Sequence, residues 1–153
     1  MRDFYVDLHI HIGRTVSGKP VKITGSKTLT LTSILQYASS QKGLDMVGVI
    51  DCHVPEVILE IEQLIEQGSM QELAEGGLRF QHTTLILGSE IEVYDANCHG
   101  PIHVLAYFPT VEKMKAFSQW MSQHVKNISL STQRIYVQGC ILQQMVHEYR
   151  GLF

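Results

Sequence analysis

No acidic residue stands between Asp7 and Asp45, a gap that holds Arg14, Lys19, Lys22, Lys27 and Lys42. From Asp51 to Asp95 the balance reverses, and Arg79 is the one basic residue among many carboxylates. Two differently solvated faces would account for this; so would a basic loop beside an acidic, metal-binding pocket, an arrangement that suits a phosphate-bearing substrate. The formal charge sums to only −3, so bulk charge gives no sign of a nucleic-acid or membrane binder. Cysteine is scarce: Cys52, Cys98 and Cys140 are widely spaced and odd in number, which excludes a disulfide framework and fits a reducing cytoplasm. No apolar run approaches the length of a membrane-spanning helix. The first residues carry neither the basic start nor the apolar middle of a secretory leader, and the expected location is the cytoplasm. Internal repeats and low-complexity tracts are missing. So is the Gly-x4-Gly-Lys-Ser/Thr spacing of a P-loop, in "GSEIE" and "GRTVSGK" alike.

What is present begins with "VDLHIHIGR", residues 6–14. Phe4, Val6, Leu8 and Ile10 alternate with Tyr5, Asp7, His9 and His11, the period of a β-strand with one packing face. The other face points three groups that bind metals or accept protons in one direction. A chain of 153 residues with 44% apolar content makes one globular domain, or part of one.

The first strand is predicted over Asp3 to His11, followed by the long glycine-bearing loop "GRTVSGKPVKITGSK", of a kind that is often functional. A helix is expected from Thr30 to Lys42, with Leu31, Ile34, Leu35 and Ala38 as its apolar stripe and Gly43 as its cap. "LDMVGVI" reads as a buried strand ending at Asp51. Pro55 opens a helix that runs to Gly68, and a helical turn is expected around Met70 to Glu75. "TTLILGSEIEV" and "PIHVLAYF" are the third and fourth strands. Thr110 caps a helix reaching about Lys126, and a last helical region runs from Ser131 to Gly151, broken near Gly139. Strands alternating with helices predict an α/β domain with a mostly parallel sheet. Leu152 and Phe153 come after a capping glycine and look like the opening of a further strand, so the chain is expected to stop before its domain does.

Four strands deliver acidic or imidazole groups: Asp7, His9 and His11 from the first, Asp51 and His53 from the second, Glu90 and Glu92 from the third, His103 from the fourth. In parallel α/β architectures ligands gather at the C-terminal edge of the strands. Imidazoles with a bridging carboxylate suit zinc, manganese or iron better than magnesium or calcium, which favour all-oxygen shells. A buried, unpaired Glu90 would be costly, and metal ligation relieves that cost. Glu92 reads as a solvated neighbour or as a group supporting the ligands. His82, His99, His124 and His147 read as surface or helix-face residues, Cys98-His99 lacks a partner pair at finger spacing, and Trp120 reads as core.

The pieces "DLHIH", "DCH", "GSEIEV" and "IHVLAYF", in that order, resemble the PHP (polymerase and histidinol phosphatase) superfamily of metal-dependent phosphoesterases. The wider phrasing "DLHIHIGRTVSGKPVKITGSKTLTL", "KGLDMVGVIDCH" and "LILGSEIEVYDANCHGPIHVL" looks more specifically like the bacterial endonuclease Q-like proteins, over nearly the whole chain. The resemblance implies a distorted (β/α)7 barrel, of which residues 1–153 would be the incomplete N-terminal portion, a truncated PHP domain of four strands and their helices. It implies up to three divalent ions, zinc or manganese, with His9, His11 and Glu90 on one, Glu90 bridging to a second also held by His103, and His53 on a third. Asp7 and Asp51 would orient imidazoles. A strand-terminal histidine and an Asp-x-His motif expected later in the family are not found before Phe153.

The implied parent activity is metal-assisted nicking of DNA at deaminated bases or abasic sites, with Arg14, Lys19, Lys22 and Lys27 holding the phosphate backbone. The 153-residue chain itself is expected to be inactive or weakly active, and to self-associate to hide surface that an open barrel exposes. A histidinol-phosphatase-like enzyme for small phosphorylated metabolites, or a non-catalytic PHP-like module, are the alternatives.

Overall fold

A computed structural model of the chain describes residues 3–135 and 137–151. Leu152 and Phe153, expected to open a further strand, lie outside the described residues. Among the described residues, seven strands and four helices succeed one another: β1 (Val6–Ile10), α1 (Leu31–Tyr37), β2 (Met46–Val49), α2 (Pro55–Glu66), β3 (Gln71–Glu72), β4 (Leu78–Phe80), β5 (Thr83–Val93), β6 (Ile102–Phe108), α3 (Val111–Ser122), β7 (Gln133–Ile135) and α4 (Gly139–Glu148). The fold is α/β, and its seven-stranded sheet is open among the described residues.

Local chemistry sets the helix ends where the sequence placed them. Thr30 caps α1 by accepting from Ser33 N while Ser33 returns a bond to the Thr30 backbone, a capping box. The expected helix then loosens into a π-helical turn, Ala38–Lys42, and stops at Gly43 in the left-handed region. Pro55 occupies the first turn of α2. Past its other end, Gly68 at φ 72° lets Gly68 N reach Ile65 O and Ser69 N reach Leu64 O, the paired bonds of a Schellman stop.

β5 is the axis. Its early residues pair with parallel β2 on one side and antiparallel β4 on the other; further along, β7 and β6 take over those two edges. Covered on both edges and nearly all of its side chains buried, it needs the apolar run "TTLILG" rather than alternation. Phe108 and Phe117 are fully buried, with ring centroids 4.6 Å apart. Trp120 packs against the same core at 5.5 Å from Phe117, as expected.

Three expectations need correction. The sheet is mixed rather than mostly parallel, because the connections around β5 are short. Gln81 and His82 alone join β4 to β5, and residues 94–101 join β5 to β6, below the dozen or so residues a parallel crossover requires. The helical turn at Met70–Glu75 is instead β3, paired with β4 in a hairpin whose turn uses Gly76 and Gly77 at φ 99° and 81°. The helix predicted from Ser131 starts only at Gly139; Thr132 is held at φ 49°, which breaks a helix, and β7 comes directly after it.

The packing face predicted for β1 is also displaced. β1 is an edge strand paired with β2, and Val6 and Leu8 are 45% and 42% exposed. Burial begins only at Ile10 and Ile12.

Candidate metal centre

β1, β2 and β5 run parallel, so the residues just past the ends of β1 and β2 meet the far half of β5 at one rim. Antiparallel β6 brings its first residues to the same rim, with His103 opposite Glu92. The fourth contribution thus comes from the start of a strand, not from its C-terminal portion as the sequence suggested. Gly48 permits the close approach of β1: a Cβ there would lie 2.6 Å from Leu8 O. Tyr107 on β6 donates to the same carbonyl at 2.7 Å.

His9, His11 and Glu90 converge, each offering a ligand atom within 4.8 Å of the others. His11 Nε2 is 3.2 Å from Glu90 Oε2 and His9 Nε2 is 3.8 Å from Glu90 Oε1. His103 Nδ1 reaches that same Oε1 at 3.0 Å. Glu90 is buried, its side chain 5% exposed, whereas His9 and His103 are open to solvent at 52% and 54%. Burial pushes the Glu90 pKa up, but hydrogen bonds from Thr132 and His103 and the charge of Lys22 outweigh it and hold the carboxyl below its ordinary range.

Asp51 decides how His11 is used. Its fully buried Oδ2 accepts from Ile12 N at 2.8 Å and from His11 Nδ1 at 3.1 Å. With Nδ1 donating, Nε2 carries the lone pair and faces Glu90. In the neutral ring these two acceptors lie 3.2 Å apart, and a cation between or beside them relieves their repulsion. Asp51 Oδ1 is buried with no hydrogen-bond partner among the described residues, a cost that a cation drawing positive charge onto the ring would offset. Two imidazoles and a carboxylate, one imidazole oriented by a second carboxylate, are the donor set of zinc, manganese or iron; the residues fit such an ion.

The other sequence candidates are placed differently. His53 is fully buried, its Nδ1 3.0 Å from Ser89 Oγ and its Nε2 3.1 Å from the Leu130 carbonyl, so both ring nitrogens are engaged and it stands apart from the three-residue group. Burial holds its pKa below the ordinary value. Asp7 accepts from the backbone N–H of His9 at 3.1 Å. In the basic loop, Arg14 bonds the Gly18 carbonyl, Lys19 pairs with Glu56, and Lys27 is exposed. Lys22 alone of these four contacts the cluster. Glu92, expected to be solvated or to support the ligands, is paired with Arg134 at 2.9 Å. Cys52 lies between Asp51 and His53, but burial pushes its thiol up to about 12 and removes it as a nucleophile.

Two contributors were not foreseen. Ser131 Oγ lies 3.0 Å from His11 Nδ1, and Thr132 Oγ1 donates to Glu90 Oε2 at 2.5 Å. Nothing in a Ser-Thr pair within a polar loop distinguishes it in sequence; the strained φ of Thr132 is visible only once folded.

Comparison with solved structures places this geometry. The chain superposes on a crystal structure of endonuclease Q in complex with a 27-mer duplex carrying an abasic lesion at the active site, with TM-score 0.73, 23% identity, and coverage of 97% of this chain and 33% of that one. The fold is endonuclease Q-like. A structure of the lesion-specific endonuclease Q from Pyrococcus furiosus matches at TM-score 0.72 over the same shares. In sequence the chain is 58% identical to the uncharacterized protein YqxK of Bacillus subtilis, over 100% of this chain and 40% of that protein. It is 29% identical to the uncharacterized protein MJ0043 of Methanocaldococcus jannaschii, over 96% of this chain and 15% of that one. The chain therefore spans well under half the length of these relatives. No protein-family model matches it.

Proposed function

We propose that this segment carries a divalent-metal centre for phosphodiester hydrolysis, and that the protein acts on DNA at damaged or deaminated positions. The observation that carries this reading is the convergence of His9, His11 and Glu90, with the His11 tautomer set by Asp51. The endonuclease Q-like fold supports the choice of DNA.

His9, His11 and Glu90 would hold zinc or manganese, and His103 would join through Glu90. Such an ion supplies Lewis acidity toward a phosphoryl oxygen and lowers the pKa of water to about 7. Asp51 keeps Nδ1 of His11 protonated and Nε2 free to ligate. Thr132 and Lys22 hold the Glu90 carboxylate in its ionised form. The exposed faces of His9 and His103 leave the rim open to a polymeric substrate. Beside it, a groove lined by His124, Lys126, Thr132 and the paired Arg134 and Glu92 offers Lys126 to phosphates.

The test is a calorimetric titration of manganese into this chain and its His9→Ala variant, followed by cleavage assays on this chain and on YqxK. His9-dependent binding, with nicking of duplexes carrying uracil or an abasic site by YqxK and weak or no nicking by this chain, is the expected result. Turnover confined to phosphomonoesters would replace DNA with a small-molecule substrate. Binding that ignores His9 would remove the metal centre.

A further inference from the structure

Lys22 is built into the cluster by its backbone. Lys22 N donates to Ile12 O at 2.9 Å, directly after His11, and the Lys22 carbonyl accepts from Gly25 N at 2.9 Å. The preceding residue, Val21, is buried and bonds Gly13 O. The side chain therefore starts beside His11, and its ammonium lies 3.1 Å from His11 Nε2, 3.1 Å from Thr132 Oγ1 and 3.9 Å from Glu90 Oε2. Arg14 and Lys19, from the same loop, are spent on Gly18 and Glu56 instead.

The contact with His11 is chemically exclusive. Asp51 accepts from Nδ1, so Nε2 has a single lone pair, and the Lys22 ammonium uses it. A divalent ion at the same nitrogen would sit about 2.0–2.1 Å away, on the path the ammonium now occupies. One lone pair serves one cation, and two cations so close repel strongly in a partly buried site.

We propose that Lys22 is the resident cation of this site: its ammonium occupies His11 Nε2 in the ion-free protein and competes with a divalent ion for that nitrogen. The inference rests on the proposed metal centre. Thr132 is the second partner of the ammonium and remains available after displacement, so an arriving ion turns Lys22 off His11 without expelling it from the rim. Metal affinity is thereby lowered in the ion-free state, and the ammonium is released from His11 when the ion arrives.

The experiment compares manganese affinity by calorimetry in the wild-type chain, Lys22→Met and Lys22→Arg, each also with His9→Ala. Methionine keeps an unbranched stem and removes the charge; arginine retains it. Lys22→Met is expected to bind manganese about tenfold more tightly than wild type, because the like charge beside the ligand is gone, while Lys22→Arg is expected to show no gain. A second readout needs no metal: in chelator-treated protein the 15N resonance of His11 Nε2 is expected to shift in Lys22→Met. Equal or weaker His9-dependent binding by Lys22→Met, or an unmoved Nε2 resonance, overturns the competition and leaves the metal centre standing. Absence of His9-dependent binding in every variant overturns both.

Discussion

The two nitrogens of His11 have different tasks because Asp51 is buried on one side of the ring and Glu90 on the other. Replacing Asp51 by Asn frees the tautomer and removes the orienting charge; manganese affinity is expected to fall about 10–100-fold, read by calorimetry. His53 makes a prediction of opposite kind. It is buried as a neutral ring, mainly by desolvation, so its folded pKa lies below the ordinary 6.5. The unfolded chain takes up the proton first as pH falls. Stability from this group is complete above 6.5 and is lost progressively below it, until the folded ring itself titrates. Urea midpoints measured with chelator between about pH 7.5 and pH 5.5 should fall toward acid, and His53→Gln should flatten that slope. At this scale residue type was legible in sequence: His-x-His after an aspartate, a glutamate after an apolar run. His53 was read as a ligand from its place after a buried strand and beside Asp51; the contacts of its two nitrogens with Ser89 and the Leu130 carbonyl are visible only in the fold.

Elements hold these groups in place through backbone contacts that admit no side chain. A Cβ at Gly48 would stand 2.6 Å from Leu8 O, against backbone rather than a flexible tip. Gly48→Ala should push β1 off β2, costing about 1–3 kcal/mol by denaturant unfolding and weakening metal binding through His9 and His11 together. Gly68→Ala is the control: it places a Cβ in the left-handed stop of α2, and is expected to cost about 1–2 kcal/mol with metal affinity unchanged. The starts of α1, α2 and α3 and the stop of α2 were legible because Thr30, Pro55, Thr110 and Gly68 act on their immediate neighbours, whereas α3 ends at Ser122, short of the expected Lys126. β3 and β7 were not. Each is two or three residues long and exists by pairing, β3 with β4 and β7 with the far end of β5, so no local period announces it.

The molecule as a whole presents an apolar edge. Val6 and Leu8 are exposed on edge strand β1, the arrangement by which one sheet adds to another. Sedimentation velocity of this chain is therefore expected to show concentration-dependent association, and Val6→Lys to suppress it. Of the basic loop read in the sequence, Lys19 crosses to Glu56, Arg14 turns onto the Gly18 carbonyl, and Lys22 reaches the carboxylate of Glu90. By itself the sequence determined the α/β class, the starts of α1, α2 and α3 and the kinds of donor available, since propensity, capping and ligand chemistry depend on residue identity and near neighbours. Tertiary structure alone decided that His9, His11 and Glu90 meet while His53 stands apart, that His103 arrives on an antiparallel strand, and that Lys22 and Thr132 belong to the site. Those outcomes depend on register and on connections across dozens of residues, where small rotations of a strand choose which side chains share a space.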